Sequence, residues 1–149
     1  IFGLVMRSTM PIHVGRKDPR EDFKQVMTQG REALSAGRHV LVFPQATRNP
    51  VFRPAEFNSM GIKLAAKAGV PVVPIALKTD FQGIGGFLRD FGPIDRTKQV
   101  FVTAGQAMDI KDNPRQAHQQ CIEFIAAHFL EWGGKVDRTP RKTEEPANG

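Results

Sequence analysis

The sequence predicts an α/β domain with a mixed, largely parallel sheet flanked by helices. Segments with helical periodicity alternate with short apolar segments along the chain, and this alternation is typical of α/β folds. A length of 149 residues is enough to bury a core without a disulfide or a metal. Because Cys121 is the single cysteine, it has no disulfide partner within the chain, and a reducing environment is expected.

The first predicted helix begins at Asp18 and Pro19, where an N-capping side chain is followed by proline at the first helical position. Apolar and small residues then recur at helical spacing, namely Phe23, Val26, Met27, Gly30 and Leu34. Gly37 ends this helix. The next segment, 40–43, is predicted as a short buried strand because four apolar residues stand together there.

A second helix is predicted over 55–68. Its apolar face contains Phe57, Gly61, Leu64, Ala65 and Ala68. Lys63 and Lys67 lie four residues apart on the opposite face, which is predicted to face solvent.

Two strands are predicted after Gly69, over 70–77 ("VPVVPIAL") and over 99–104. The connection between them, 80–93, is rich in glycine. It lacks a G-x-G-x-x-G pattern between a strand and a helix, so no nucleotide-binding loop is predicted.

The last predicted helix begins at Asn113 and Pro114. Its apolar stripe contains Ala117, Cys121, Phe124, Ile125, His128 and Trp132. From Gly133 onward the sequence is polar and contains proline. We therefore expect a disordered tail over 133–149 and a folded part over 1–132.

The chain starts at Ile1, without an initiator methionine and without the basic segment and cleavage site of a signal peptide. We therefore expect it to be a piece of a longer protein. No apolar run reaches the roughly 18 residues that a membrane-spanning helix needs, so any membrane association is expected to be peripheral.

The formal net charge is +6, and the segment from 133 onward contributes little of it, with four basic and three acidic side chains. A basic folded part favours phosphate groups, either of nucleic acid or of anionic lipid. The sequence has one Trp and no Tyr, and no aromatic residues alternate with arginine along a strand as in an RNA-stacking surface. A non-catalytic basic module that binds an anionic lipid surface or nucleic acid remains the alternative to an enzyme.

The segment "FPQATR", residues 43–48, is the candidate binding site, because ligands of α/β sheets bind beyond the carboxyl ends of strands. The planar guanidinium of Arg48 suits a phosphate. Thr47 and exposed backbone N–H groups can complete an anion-binding nest. We name residues 43–48 the hexad loop.

The hexad loop resembles the F-P-E-G-T-R motif of the glycerolipid acyltransferases, the family that includes the 1-acylglycerol-3-phosphate acyltransferases. "GVPVVPIAL" at 69–77 is similar to that family's V-P-[VI]-[VI]-P-[VI] motif, and "FRPAEFNSMGIKLAAKAG" at 52–69 resembles its helix after the phosphate loop. "MPIHVGR" at 10–16 resembles its strand motif that ends in arginine. The resemblance extends to about residue 105, and three motifs occur in the correct order.

This resemblance implies a glycerol-3-phosphate acyltransferase-like fold, of which the chain is a partial domain. It implies acyl transfer from acyl-CoA or acyl carrier protein to a hydroxyl of a lysophospholipid or glycerol phosphate, in phospholipid biosynthesis. The implied location is peripheral, at an anionic membrane surface on the cytoplasmic side. Apart from the acyl donor as co-substrate, no cofactor, metal or nucleic acid is expected.

The resemblance also implies roles for individual residues. Arg16 and Arg48 would hold the acceptor phosphate, together with Phe43, Pro44, Gln45, Ala46 and Thr47. Gln45 and Ala46 stand where the family has Glu and Gly. Gln45 cannot carry charge, so it could only position the loop, and Ala46 tolerates positive φ poorly. Either the acceptor of this subfamily is altered or the loop geometry is relaxed.

The family's catalytic histidine and aspartate form an H-x-x-x-x-D motif, in which the histidine is the general base. "HVGRKD" at 13–18 has this spacing, but Arg16 lies between His13 and Asp18, whereas the family's pair precedes the strand motif. Asp18 is better explained as an N-cap. His39 precedes the strand at 40–43 and is expected to face solvent, and His118 and His128 lie in the last helix without carboxylates at a suitable spacing. No catalytic residue is therefore assigned, and the catalytic pair is expected upstream.

Overall fold

The computed structural model describes residues 11–12, 18–45, 50–79, 81, 83, 92–111 and 113–140. In chain order the elements are α1 (Pro19–Ser35), β1 (Val51–Phe52), a 3-10 turn (Pro54–Glu56), α2 (Met60–Ala68), β2 (Ile75–Lys78), β3 (Phe101–Ala104), α3 (Pro114–Glu131) and β4 (Lys135–Val136).

The predicted starts of α1 and α3 are confirmed. The Asp18 side chain accepts a hydrogen bond from the backbone N–H of Arg20 at 2.8 Å, and the Asn113 side chain accepts one from Gln116 at 3.0 Å. Both caps satisfy N–H groups that the first helical turn leaves without a partner. Asp18 therefore has the structural role that the sequence predicts.

The second helix begins later than predicted. Residues 54–56 form a 3-10 turn, and α2 starts only at Met60. The side chain of Asn58 accepts a hydrogen bond from Met60 N–H at 3.1 Å, and such local side-chain bonds compete with continuous helix. α2 ends as predicted at Gly69, where φ is +67°.

The described strands form two separate pairs. β2 and β3 are antiparallel, with Ala76 opposite Thr103, and β1 and β4 are parallel, with Phe52 opposite Val136. The mixed α/β class is thus confirmed, whereas the described pairs are not largely parallel. A parallel pair requires a crossover connection, usually a helix, and the described residues between β2 and β3 contain none.

Two further predictions are wrong. Segment 40–43 forms neither a helix nor a strand of the described sheets, and Phe43 is 70% exposed. A buried strand needs neighbours on both sides, and none is paired with this segment in the described part. The expected disorder from 133 onward does not apply to 135–136, because pairing with β1 orders them as β4.

Among the described residues, the core consists of three clusters along the helices. Val26, Met27 and Leu64 join α1 to α2. Ile110 connects α2 with α3 in the second cluster, together with Ile62, Ala65, Ala117 and Cys121. Phe52, Ile122 and Ala126 pack β1 on α3. Because α2 contributes to two clusters, its position, and that of the residues before it, is set by both other helices.

Candidate functional site

The structure describes the first three residues of the hexad loop, Phe43, Pro44 and Gln45. Ala46, Thr47 and Arg48 lie outside the described residues, as do Arg16 and His13. Of the motif over 10–16, only Pro11 and Ile12 are described, and Ile12 packs against the cluster between α1 and α2.

The start of the hexad loop is fixed to the start of α2 by Asn58. Its side-chain Nδ2 donates a hydrogen bond to the Pro44 carbonyl at 2.6 Å, and its backbone N–H donates to the same carbonyl at 3.1 Å. Its Oδ1 accepts from Met60 N–H at 3.1 Å. One residue therefore joins the loop to the helix.

The segment before the loop also contacts α2. A Cβ placed on Gly61 would lie 3.5 Å from the Cβ of Val42, so Val42 lies against the first turn of α2. The N-terminal end of a helix carries the positive end of its dipole, which favours an anion nearby. The hexad loop thus begins beside a positively polarised helix end.

Phe43 and Gln45 differ in their surroundings. Phe43 is exposed at the start of the loop and is free to contact an apolar ligand. Gln45 Nε2 is buried and has no hydrogen-bond partner in the described part of the chain. A buried N–H donor without a partner is costly. An oxygen of a substrate or of another loop residue would accept a hydrogen bond from this Nε2 group.

Arg53 follows β1 and belongs to the scaffold. Its side chain binds Glu56 at 3.4 Å and Asp137 at 3.2 Å. Hydrogen bonds from Thr139, and then the one from Arg53, hold the pKa of Asp137 below its ordinary value. These contacts connect β1 to the segment after β4, which gives Arg53 a structural role.

The contacts of two described histidines, His118 and His128, lie away from the described part of the hexad loop. His128 Nδ1 lies 2.9 Å from Glu131 Oε2, and its ring stacks beside Trp132. The His118 ring lies 5.6 Å from that of Phe57. The hydrogen bonds and ring contacts of these two histidines do not reach 43–45.

The described residues contain neither a metal-binding group nor a membrane-spanning helix. Among the described residues, no three His, Cys, Asp or Glu side chains are grouped so that they could hold a metal ion. The helices that the structure describes are all too short or too polar to cross a membrane.

Asn58 is the site residue that the sequence did not predict. The apolar spacing of Phe57, Gly61 and Leu64 favoured a helix through position 58, in which an asparagine would be unremarkable. The available signal was Asn58-Ser59 itself, since Asn and Ser favour caps and turns over helix interiors.

The known proteins to which this chain is similar are named for the same activity. A family model described as Acyltransferase matches residues 1–78. The 1-acyl-sn-glycerol-3-phosphate acyltransferase of Pseudomonas aeruginosa is 43% identical over 75 residues, which is 50% of this chain and 29% of that protein. The protein of the same name from Chlamydomonas reinhardtii is 40% identical over 77 residues, 52% of this chain and 23% of that protein.

A chloroplastic 1-acyl-sn-glycerol-3-phosphate acyltransferase of Brassica napus is 34% identical over 77 residues, 52% of this chain and 22% of that protein. The matched region thus spans about a quarter of the length of these relatives. No solved structure is significantly similar to the chain. The matched family region contains the complete hexad loop, Asn58, α2 and β2, and the chain belongs to the Acyltransferase family.

Proposed function

We propose that the protein transfers a fatty acyl group from acyl-CoA or acyl carrier protein to the free hydroxyl of a 1-acylglycerol 3-phosphate or a related lysophospholipid. The observation that carries this proposal is the hexad loop, which lies in the family-matched region and is held by Asn58 at the start of α2. Relatives named for this reaction support the choice of substrate class.

In this reaction the thioester C–S bond breaks, an ester C–O bond forms, and the hydroxyl proton ends on the released thiol. The task proposed for the hexad loop is to hold the acceptor phosphate, so that the hydroxyl is presented to the thioester. Arg48 and Arg16 would supply bidentate hydrogen bonds, and Thr47 with the loop backbone would complete the contact. We assign the catalytic base to no residue of this chain.

The proposed location is the cytoplasmic face of a membrane, reached peripherally by the positively charged protein. The net charge of +6 supports contact with anionic lipid. The acyl chain of a lysophospholipid remains in the bilayer in this arrangement, while its phosphate enters the hexad loop. No cofactor takes part besides the acyl donor.

An acyl-transfer assay with two acceptors tests the proposal, and it uses the full-length protein because the catalytic base is assigned to no residue of this chain. Lysophosphatidic acid and a monoacylglycerol with the same acyl chain differ only in the phosphate. We expect labelled acyl groups from acyl-CoA or acyl carrier protein to appear on lysophosphatidic acid, and little on monoacylglycerol. Equal use of both acceptors would exclude phosphate recognition. Binding of anionic vesicles without any transfer would favour a non-catalytic basic module.

A further inference from the structure

We propose that Asn58 is a positioning residue that holds the hexad loop in its phosphate-binding conformation. This inference rests on the proposed function and adds a residue outside the loop itself. Asn58 is exposed and has no role in the hydrophobic clusters. The three hydrogen bonds that Asn58 forms with described residues all go to the loop or to the start of α2.

The contact with the loop is made twice. The backbone N–H and the side-chain Nδ2 of Asn58 both donate to the Pro44 carbonyl, at 3.1 and 2.6 Å. A carbonyl oxygen has two lone pairs, so both are used. The orientation of this carbonyl is therefore fixed by two donors from a single residue.

A fixed carbonyl also fixes the next backbone donor. The peptide unit between Pro44 and Gln45 is planar, and the N–H of Gln45 points away from the Pro44 carbonyl across it. Anion-binding loops use successive backbone N–H groups. By orienting the Pro44 carbonyl, Asn58 thus sets the direction of the Gln45 N–H group, the first backbone donor of the loop after Pro44.

The Oδ1 atom of the Asn58 side chain binds the start of α2. Met60 N–H is one of the N–H groups that the first turn of α2 cannot satisfy internally, and Asn58 Oδ1 accepts its hydrogen bond. α2 is in turn held by buried Leu64 and Ile62. The start of the loop is therefore attached, through Asn58, to a helix that the core holds in place.

These two roles can be separated by one substitution. Asn58→Asp keeps an oxygen for Met60 N–H and adds a negative charge at the N-terminal end of a helix, which is favourable there. It replaces the Nδ2 donor by an oxygen that repels the Pro44 carbonyl, so the side-chain hydrogen bond to the loop is lost while the backbone N–H bond can remain. A positioning role thus predicts impaired phosphate binding in a protein whose α2 is intact.

The experiment compares Asn58→Asp with Asn113→Asp, a matched control that makes the same change at the start of α3. Affinity for lysophosphatidic acid and for acyl-CoA is measured, with amide hydrogen exchange of 43–48 and 60–68. For Asn58→Asp we expect about a tenfold loss of lysophosphatidic acid affinity, faster exchange in 43–48, and unchanged exchange in 60–68. Acyl-CoA affinity should not change, and Asn113→Asp should match the wild type.

Three results would overturn the inference. Unchanged lysophosphatidic acid affinity in Asn58→Asp would do so, as would unchanged exchange in 43–48 or an equal rise of exchange in 60–68. If Arg48→Lys loses affinity for lysophosphatidic acid while Asn58→Asp does not, only the role proposed for Asn58 is wrong. If the wild type binds lysophosphatidic acid and monoacylglycerol equally, the proposed function fails and the positioning role fails with it.

Discussion

The part of the chain up to residue 78 and the part after it contribute different things to the molecule. The first part matches the acyltransferase family and contains the hexad loop and Asn58. The second part adds α3, which packs against α2, β2 and β4. Buried residues of the first part, such as Ile62 and Phe52, find their partners in the second. The site thus belongs to one part, whereas the core that supports it is shared.

The largest effect should come from a substitution in the shared core, outside the loop. Ile110 is 1% exposed and packs between α2 and α3, so Ile110→Ala should lower the free energy of unfolding by about 2–5 kcal/mol. The matched control is Ile94→Ala, because Ile94 is 65% exposed and should change stability by less than about 0.5 kcal/mol. Urea unfolding measures both. Similar losses at the two positions would contradict a core shared across residue 78.

Replacing a glycine of α1 by alanine should change stability less than Ile110→Ala does. The sign of the change should differ from that of the same replacement in α2. A Cβ on Gly30 would lie 2.6 Å from Leu64 Cδ2, and Leu64 is 2% exposed and cannot move freely. Overpacking in Gly30→Ala should therefore destabilise the fold by about 1–3 kcal/mol. The higher helix propensity of alanine should offset up to about 1 kcal/mol of this loss.

Gly61→Ala makes the same change where the new methyl group meets Val42 at ordinary contact distances. It should stabilise α2 by up to about 0.5–1 kcal/mol. Thermal unfolding of the two variants gives the signs. A stabilising Gly30→Ala would show that Leu64 can be repacked.

Gln45→Glu tests the loop without touching the shared core. Gln45 Nε2 has no partner among the described residues, so the substitution breaks no described hydrogen bond. The new charge lies three residues from Arg48, and its attraction to that arginine opposes its repulsion of the acceptor phosphate. We expect the acyl-transfer rate to stay within about tenfold, or 1.4 kcal/mol.

Ala46→Gly should be neutral or mildly activating, because it restores the residue with the greatest freedom of φ. Steady-state kinetics of both single variants and of the double variant measure these effects. A loss far beyond tenfold in Gln45→Glu would mean that its NH₂ group contacts the substrate.

The smallest effect should come from an ion pair confined to the second part. Arg138 Nη1 and Nη2 bind Glu123 Oε1 and Oε2 at 3.0 and 2.8 Å. The hydrogen bond from Arg138 holds the pKa of Glu123 below its ordinary value. A lowered folded-state pKa gives stability that is present above the unfolded-state pKa, about 4.3, and is lost as the pH falls through the folded-state value.

Glu123→Gln should remove this part of the acid dependence and, because the pair is exposed, change stability only slightly at neutral pH. Unfolding midpoints at neutral pH and near pH 3 measure it. Glu32→Gln is the control, since Glu32 is exposed and forms no side-chain ion pair in the described part. Equal acid dependence of Glu123→Gln and the wild type would show that the pair does not contribute.

Local side-chain chemistry made part of the fold predictable. Asp18 and Asn113 mark helix starts because a short polar side chain before proline caps the first turn. Gly69 marks a helix end because it adopts positive φ. These signals lie within a few residues of the structure that they determine.

The rest depends on contacts between distant segments. β1 and β4 have two residues each, and neither has a periodic pattern; they exist because Val51 pairs with Lys135. Segment 40–43 has the composition of a buried strand, yet pairing and burial depend on neighbours, not on composition. Asn58 was missed for a related reason, since its partner Pro44 lies 14 residues away.

The hexad motif itself could be identified from the sequence, but its anchoring could not. Residues 43–48 are recognisable because an arginine next to small, polar residues suits a phosphate ligand, and because their order resembles a family motif. Which residue holds them requires the three-dimensional positions of Pro44, Asn58 and Met60.

Binding of lysophosphatidic acid to Arg48→Lys tests the central claim, that the hexad loop binds the acceptor phosphate, most directly. Lysine keeps the charge but loses the bidentate fork, so binding should weaken by roughly 1.5–3 kcal/mol, the worth of a charge-assisted hydrogen bond. Arg31→Lys is the control, because Arg31 on α1 lines a groove with Lys67, at the opposite end of α2 from the loop. We predict that Arg48→Lys binds lysophosphatidic acid more weakly than the wild type and that Arg31→Lys binds it equally well. The affinity for the acyl donor should not change in either variant. Weaker acyl-donor binding by Arg48→Lys, with unchanged lysophosphatidic acid binding, would contradict the claim.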